Sequence, residues 1–167
     1  MDYISHFSSP LGDIMMASEG EFLTGLWLED QKYFASTLSQ DHAEEDDLAV
    51  FDQVRQWLDI YFSGHDPGFT PPLLFRSSVF RIRVWNQLLS IPFGETVTYG
   101  ELAHRIAVES GVCRMSAQAI GGAVSHNPIS LIVPCHRVVA SDGSPGGYAG
   151  GQWRKERLIV LEQSHLN

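Results

Sequence analysis

The stretch TYGELAHRIAVESGVCRMSAQAIGGAVSHN, residues 98–127, decides the fold of the second half of this chain. Thr98 and Glu101 have the Thr-x-x-Glu spacing of a capping box, which is a specific signal for the start of a helix. A second helix begins within RMSAQAIGGAVSHN, residues 114–127, with Ser116 as its N-cap. Two short helices joined by a brief loop predict a helix-turn-helix.

The second of these helices has almost no side-chain bulk. Its small residues are Ala117, Ala119, Gly121, Gly122 and Ala123. Two glycines cost about 1 kcal/mol each in helix propensity, so their presence needs a reason. One reason is the close approach of a partner to the helix backbone, and another is tight helix–helix packing. The sequence alone leaves both open.

The first thirty residues predict a small antiparallel sheet. YISHFS, GDIMMAS and FLTGLWLE are short β-rich segments, and the breaks SPLG and EGE between them are typical of hairpins. From Asp47 the apolar period becomes helical, through Val50, Val54, Trp57 and Tyr61. This pattern predicts a helix that ends at Ser63–Gly64. The segment SGHDPGFTPP follows, and its prolines and glycines indicate a domain boundary.

These segments together predict an α/β (α+β) fold with two domains. Residues 1–75 form a small N-terminal antiparallel sheet domain with one helix, for which we expect a structural role. Residues 76–167 form a mainly helical domain that contains the helix-turn-helix. A further helix is predicted in SSVFRIRVWNQLLSI and a last one from about Gln152 to Gln163. The segment ISLIVP predicts a buried strand or extended segment that ends at Cys135.

Charge is distributed unevenly along the 167 residues, whose formal net charge is −9. Residues 1–75 carry a net charge of −12, whereas residues 76–167 carry +3. Such asymmetry indicates that the more basic half, residues 76–167, binds a polyanion. The alternative is that the acidic surface only keeps the N-terminal part in solution.

Several classes of protein are excluded by composition. No stretch approaches about 18 uninterrupted apolar residues, so no membrane span is expected. The start MDYISHFSSP has no basic or apolar region of a secretory signal, so the predicted location is the cytoplasm. Cys113 and Cys135 are the two cysteines, which is too few for a disulfide scaffold and shows no metal-binding spacing. We therefore predict no metal ion and no cofactor.

Cys135 is the candidate nucleophile, and it lies in NPISLIVPCHRVV, residues 127–139. A nearby histidine or positive charge lowers a cysteine pKa, and His136 is adjacent. Neighbours on an extended segment point to opposite sides, so contact between the two needs a turn or a bridging water. Glu162 on the last helix is a candidate to orient the imidazole. A lone cysteine in an apolar run is otherwise a core residue, and the residues alone leave both interpretations open.

The wider context of this motif resembles the O6-alkylguanine-DNA alkyltransferases, also called methylated-DNA–protein-cysteine methyltransferases. SAQAIGGAV precedes the Pro-Cys-His-Arg core and YAGG follows it. The resemblance covers most of residues 78–162, whereas residues 1–75 match in general character only. It implies direct DNA repair by residues 76–167, in which Cys135 takes the alkyl group from O6-alkylguanine, and from O4-alkylthymine, in one irreversible turnover.

The resemblance also implies roles for other residues of the site. His136 acts through a water as the base, and Glu162 orients it. Asn127 supports the active-site turn through hydrogen bonds, and Tyr99 lies near the guanine and the rotated phosphate. The base pocket is lined by the backbone around Val133, Tyr148 and Ala149.

The partner implied by the resemblance is duplex DNA that contains O6-alkylguanine, bound by a monomer through the minor groove. The damaged nucleotide must leave the base stack to reach a buried thiol. Gln118 stands where many family members have an arginine that fills the gap, and Arg114 supplies charge nearby. The expected DNA-facing surface is formed by Ser116, Ala117, Ala119, Gly121 and Gly122.

Three other functions compete with this interpretation. The first is a non-catalytic sensor of alkylated DNA. Such a sensor has no acceptor cysteine, so the presence of Cys135 argues against it. A cysteine hydrolase needs an oxyanion hole, which nothing in LIVPCHRVV specifies. A transcriptional regulator needs base-reading side chains, and Gln118 is the only one on the small-residue helix. Cys113 has no motif around it, and Arg137 fits either a structural ion pair or a phosphate contact.

Overall fold

The computed structural model describes residues 1–164, so the last three residues of the predicted domain 76–167 lie outside the described residues. The chain forms two compact units. The first contains Met1–Arg76 and Pro128–Ser130, and the second contains Ser77–Asn127 and the chain from Leu131 onward. The small segment joins the first unit through the backbone, because Leu26 N donates to the carbonyl of Pro128 at 2.9 Å. A single boundary near residue 75 would place Pro128–Ser130 in the second domain, whereas the structure groups these residues with the first unit.

The first unit contains a four-stranded sheet in the order β3-β2-β1-β4. The strands are β1 (Asp2–Ser9), β2 (Gly12–Ser18), β3 (Leu23–Leu28) and β4 (His42–Glu44). β1, β2 and β3 pair antiparallel, which confirms the predicted sheet. β4 pairs parallel with the edge of β1 and was not predicted. Its three residues are all exposed, so they carry no alternating apolar pattern that could reveal a strand.

The helix of the first unit, α1, spans Ala49–Phe62. Its buried side chains include the whole predicted apolar stripe, Val50, Val54, Trp57 and Tyr61. The rings of Trp57 and Tyr61 stack with centroids 5.0 Å apart. The prediction of this helix and of its buried face is confirmed, because four apolar residues at helical spacing must lie on one side.

The second unit is mainly helical, as predicted. Its helices are α2 (Val79–Leu89), α3 (Tyr99–Ser110), α4 (Ala117–Ser125) and α5 (Gln152–Gln163). The capping box of α3 is present, since Thr98 Oγ1 accepts from the amide of Glu101 at 3.1 Å and the Glu101 carboxylate accepts from the amide of Thr98 at 3.2 Å. Ser116 Oγ accepts from the amide of Ala119 at 3.2 Å. Both predicted starts of the helix-turn-helix helices are therefore confirmed.

The segment before Cys135 differs from the prediction. Residues 129–134 are buried, but beyond an isolated bridge between Ile129 and Leu26 they form turns and irregular structure rather than a strand. Leu131 has φ of 71°, which breaks an extended path. A short parallel pair, β5 (Val97–Thr98) with β6 (Val138–Val139), lies just beyond the turn and was not predicted. An apolar run predicts burial, but it does not distinguish a strand from a buried irregular segment.

The helices are short throughout residues 1–164. The longest of them, α1, has 14 residues. A membrane-spanning helix needs about 20 predominantly apolar residues. Within the described part of the chain, no helix is long and apolar enough to cross a membrane. The cytoplasmic location stays a prediction.

Candidate active site

Cys135 lies at the start of a 3-10 turn that spans Cys135–Arg137. Its side chain is buried, with 4% of the residue exposed. The backbone turns sharply just before it, because the amide of Cys135 donates to the carbonyl of Val133 at 2.8 Å across Pro134. The chain is therefore not extended at Cys135, which removes the argument that Cys135 and His136 must point to opposite sides.

The side-chain amide of Asn127 holds this turn. Its Nδ2 donates to the carbonyl of Val133 at 2.8 Å and to Cys135 Sγ at 3.2 Å. Burial raises the pKa of the Cys135 thiol, while the bond from Asn127 and the positive charge of Lys155 work in the opposite direction. The resting side chain is therefore a thiol at neutral pH, and a donor is already aimed at the sulfur for the moment it ionises.

His136 and Glu162 form a buried pair between the 3-10 turn and α5. His136 Nε2 lies 2.5 Å from Glu162 Oε2, and both residues are almost fully buried. Burial lowers the pKa of His136 and outweighs the opposing bond to Glu162. Burial by itself raises the pKa of Glu162, but His136 and Arg137 together hold it well below its usual range. A neutral imidazole thus donates Nε2–H to a carboxylate, and this tautomer has its basic lone pair on Nδ1.

Arg137 is a structural ion-pair residue in this site. Its Nε donates to Glu162 Oε1 at 2.8 Å, and its Nη1 donates to the carbonyl of Ile91 at 2.6 Å. The amide of Gly94 also donates to Glu162 Oε1, at 3.0 Å. Because Arg137 is buried and bonded to these partners, the structure favours the structural ion pair over the phosphate contact. Glu162 therefore fixes both the imidazole and the guanidinium.

Tyr99 begins α3, and its half-buried ring faces the loop before α5. Its Cε2 lies 3.7 Å from where a Cβ would stand on Gly146. Burial raises the pKa of the Tyr99 phenol, and a Cys135 thiolate raises it further. The phenol consequently keeps its proton at neutral pH and can donate it in a hydrogen bond.

The three residues predicted to line the base pocket differ in exposure. Val133 is fully buried, and its carbonyl accepts the two bonds described above. Tyr148 and Ala149 are half-buried on the loop before α5. The ring of Tyr148 stands edge-on to that of His136, with centroids 6.5 Å apart.

Lys155 is a site residue that the sequence analysis missed. It is fully buried on α5, and its Nζ donates to the carbonyl of Gly147 at 2.9 Å. Burial lowers its pKa to about 8, against the attraction of Cys135. A signal was present, since Lys155 shares helical spacing with two other buried residues of α5, Leu158 and Glu162. A lysine at such a position would ordinarily be assigned to the surface.

The DNA-facing surface predicted from the resemblance lies on α4 and the loop before it. Gly121 and Gly122 are half-buried, and apart from its chain neighbours and the backbone of α4 itself, a Cβ built on either would meet no atom of the described residues within 4 Å. Tight packing against the rest of the protein therefore does not explain these two glycines. The inward face of the helix is formed by Ile120, Ala123 and Val124. The exposed residues are Arg114, Ser116, Ala117, Gln118 and Ala119, with Cys113 beside them.

The second unit contains a buried cysteine, a histidine–carboxylate pair and a helix-turn-helix. This combination is typical of a class of proteins that join a nucleophile to a DNA-binding motif. The family model described as "6-O-methylguanine DNA methyltransferase, DNA binding domain" matches residues 79–164. The model "6-O-methylguanine DNA methyltransferase, ribonuclease-like domain" matches residues 3–75, where the sequence analysis found only general character. The chain belongs to the 6-O-methylguanine DNA methyltransferase family.

Individual relatives span almost the whole chain. A methylated-DNA–protein-cysteine methyltransferase of Mycobacterium bovis is 42% identical over 156 residues, which cover 93% of this chain and 89% of the relative. A protein of the same name from Haemophilus influenzae is 36% identical over 162 residues, covering 96% and 86%. A crystal structure of Mycobacterium tuberculosis OGT in complex with DNA is similar with a TM-score of 0.85 and 36% identity, covering 97% of this chain and 93% of that one.

Proposed function

We propose that this protein repairs alkylated DNA directly, by moving an alkyl group from O6 of guanine, and from O4 of thymine, to Sγ of Cys135. The observation that carries the proposal is the buried Cys135 sulfur, which Asn127 holds on a turn next to the His136–Glu162 pair. Relatives that are named methylated-DNA–protein-cysteine methyltransferases, at 42% and 36% identity over most of the chain, support it.

The reaction begins with loss of the Cys135 proton. His136 accepts this proton through a water on its Nδ1, and Glu162 stabilises the imidazolium that forms. The thiolate then attacks the alkyl carbon, so that the S–C bond forms while the C–O6 bond breaks and its electron pair passes to the guanine. Tyr99 donates a proton or a hydrogen bond to the base, which makes guanine a better leaving group. His136 then gives its extra proton back through the water, to the base or to a Tyr99 that has donated its own proton. Over the whole reaction, the thiol proton therefore ends on the guanine.

The product is a thioether on Cys135, which water does not cleave under cellular conditions, so each molecule acts once. The step as proposed needs no second acceptor, because the sulfur is the nucleophile and the alkyl carbon is the electrophile. Mass spectrometry after incubation with a duplex that contains O6-methylguanine tests the proposal. We expect the Cys135 peptide to gain one methylene unit, about 14 Da, in a stoichiometric reaction. A protein that binds this DNA but keeps its original mass would be a non-catalytic sensor.

Residues 76–167 provide both the acceptor and the DNA-binding surface in this proposal, and residues 1–75 have a structural role. The protein binds as a monomer in the minor groove, with the outer face of α4 against the DNA backbone. Extruding the damaged nucleotide costs a few kcal/mol, which contacts to the DNA must offset. Binding without base-specific side chains suits a repair protein, because lesions occur in any sequence.

Gly122→Ala separates the contribution of this glycine to stability from its contribution to DNA binding. We expect the variant to be more stable than wild type by roughly 0.5–1 kcal/mol, because alanine favours the helix and its Cβ meets no protein atom. The same methyl group should weaken binding to duplex DNA, since it stands between the helix backbone and the DNA. Urea unfolding and fluorescence anisotropy with a labelled duplex measure the two effects. Unchanged DNA affinity in the stabilised variant would remove Gly122 from the interface.

Gln118→Ala tests the residue that we place in the gap left by the extruded base. We expect slower repair of O6-methylguanine in duplex DNA, because the orphaned partner base loses a hydrogen-bonding side chain. Repair of the free O6-methylguanine base, which requires no extrusion, should be unchanged. Both rates are measured by methyl transfer to Cys135. An unchanged ratio of the two rates would reject the assignment of Gln118.

A further inference from the structure

The chain leaves the second unit for a short segment between α4 and the candidate nucleophile. This segment, Pro128–Ser130, belongs to the first unit, whereas Asn127 before it and Leu131 after it belong to the second. It lies along β3, because Leu26 N donates to the carbonyl of its first residue at 2.9 Å. The amide of its last residue donates to the carbonyl of Leu26, also at 2.9 Å. Both backbone bonds are therefore made by a single residue of the strand.

The side chain of Gln31 makes a third bond to this segment. Gln31 follows β3 and is buried, with 6% of the residue exposed. Its Oε1 accepts from the amide of Leu28 at 2.8 Å and from Ser130 Oγ at 3.1 Å. An amide oxygen has two lone pairs, so one of them holds the turn after β3 and the other holds the segment. Because Ser130 is also buried, loss of either partner leaves a buried polar atom unpaired.

Leu131, which follows the segment directly, has a strained backbone. Its φ of 71° lies in the left-handed region, which leucine rarely adopts, and its side chain is fully buried. Such a conformation persists only where the surrounding structure determines it. On one side Ser130 is held on β3, and on the other Asn127 Nδ2 donates to Cys135 Sγ at 3.2 Å. The bond to Gln31 is therefore one of the contacts that keep this loop in the shape in which the amide reaches the sulfur.

We propose that Gln31 is a positioning residue for the alkyl transfer, which acts through Ser130 on the loop that carries Cys135. Gln31 does not touch the reacting atoms. Its Oε1 fixes Ser130, and this fixes the turn at Leu131 from which the sulfur is presented. The inference rests on the proposed function of Cys135 as the acceptor. It gives residues 1–75 a part in the reaction in addition to their structural role.

Single-turnover kinetics separate a positioning role from a structural one. Full-length protein is mixed with an excess of duplex that contains O6-methylguanine, at several DNA concentrations, and methylation of Cys135 is followed with time. The rate constant at saturating DNA reports the transfer step, and the half-saturating concentration reports DNA binding. The amplitude reports the fraction of folded protein. A residue with a purely structural role lowers the amplitude, whereas a positioning residue lowers the saturated rate constant.

Gln31→Met keeps the size of the side chain but removes the amide oxygen, and it should slow the saturated rate about tenfold. The half-saturating concentration should not change, because the substitution leaves α4 intact. Ser130→Ala removes the other end of the bond and should slow transfer in the same way. The double variant should be no slower than Gln31→Met alone, because two residues that act through one bond are not additive.

Ser5→Ala is the matched control. It removes another buried hydroxyl of the first unit, on β1, where Ser5 Oγ donates to Asp46 Oδ1 at 2.6 Å. The variant loses a hydrogen bond of the same kind, so its stability should fall, but its saturated rate should equal that of wild type. Equal slowing in Ser5→Ala and Gln31→Met would overturn the inference.

A wild-type rate in folded Gln31→Met would also overturn the inference, and so would a double variant that is slowed by the product of the two single effects. If Gln31→Met does not fold, Ser130→Ala decides, because a wild-type rate in that variant contradicts a role for the bond. Alkylation of the Cys135 peptide by iodoacetamide, in which the sulfur displaces iodide and a proton is released, tests the same loop without DNA. If wild type takes no methyl group from DNA, the proposed function fails. Slower alkylation in Gln31→Met than in wild type would then still support its role, and equal alkylation would contradict it.

Discussion

Cys135→Ala is expected to reduce methyl transfer from DNA to the protein to background, a loss of at least about 10⁴-fold. The variant removes the only atom that receives the alkyl group in the proposed reaction, and no neighbouring group can replace a soft sulfur nucleophile. The measurement is transfer of a radiolabelled methyl group from a duplex that contains O6-methylguanine. Because Cys135 is buried and α4 is unchanged, binding of the variant to the same duplex should persist.

Cys113→Ser is the matched control for this variant. It removes the other cysteine of the chain, which is exposed on the loop between α3 and α4. We expect full methyl transfer with this protein, with all label on the Cys135 peptide. Label on the Cys135→Ala protein, or loss of label in Cys113→Ser, would show that the acceptor is elsewhere.

Glu162→Gln is expected to destabilise the protein by roughly 3–5 kcal/mol. The substitution removes the carboxylate that accepts from His136 and Arg137 and leaves a buried guanidinium without its counter-ion. Urea unfolding at pH 7 measures the change. Methyl transfer should also slow in the folded fraction, because a neutral amide does not stabilise the imidazolium. The double variant Arg137→Met/Glu162→Gln should recover part of the lost stability, since it leaves no unpaired buried charge.

The stability that Glu162→Gln loses relative to wild type should depend on pH, because Glu162 has a low pKa in the folded protein. Because the folded protein holds this pKa well below the unfolded value of about 4.5, the carboxylate contributes its full stability above pH 4.5. That contribution falls progressively as the pH drops below 4.5. The difference in unfolding free energy between wild type and Glu162→Gln should therefore shrink in acid. A difference that stays constant from pH 7 to the acid limit of folding would show that the ionised carboxylate is not responsible.

Much of the local structure could be predicted from the sequence, because its signals act over a few residues. The spacing of Thr98 and Glu101 and the hydroxyl of Ser116 define two helix starts, and both bonds are present. The stripe from Val50 to Tyr61 defines the buried face of α1 in the same way. The motif around Cys135 indicated the family, which the comparisons confirm over residues 79–164 and 3–75.

The details of the site depended on contacts that local patterns do not encode. The apolar run before Cys135 indicated burial, but the turn at Leu131 and the bond from Asn127 to the sulfur became visible only in three dimensions. The strand or extended segment predicted there was wrong for this reason, although its burial was confirmed. The empty space above Gly122 likewise depends on which elements surround α4, so the sequence could not choose between packing and a partner.

By itself, the sequence determined the helix starts, the three antiparallel strands of the first sheet, the family and the candidate nucleophile. The tertiary structure alone decided that Arg137 is held by Glu162, 25 positions away, and that Lys155 is buried. The physical reason is that capping and periodicity act between neighbours in the chain, whereas the burial and pairing of a charge depend on which distant residues fold around it.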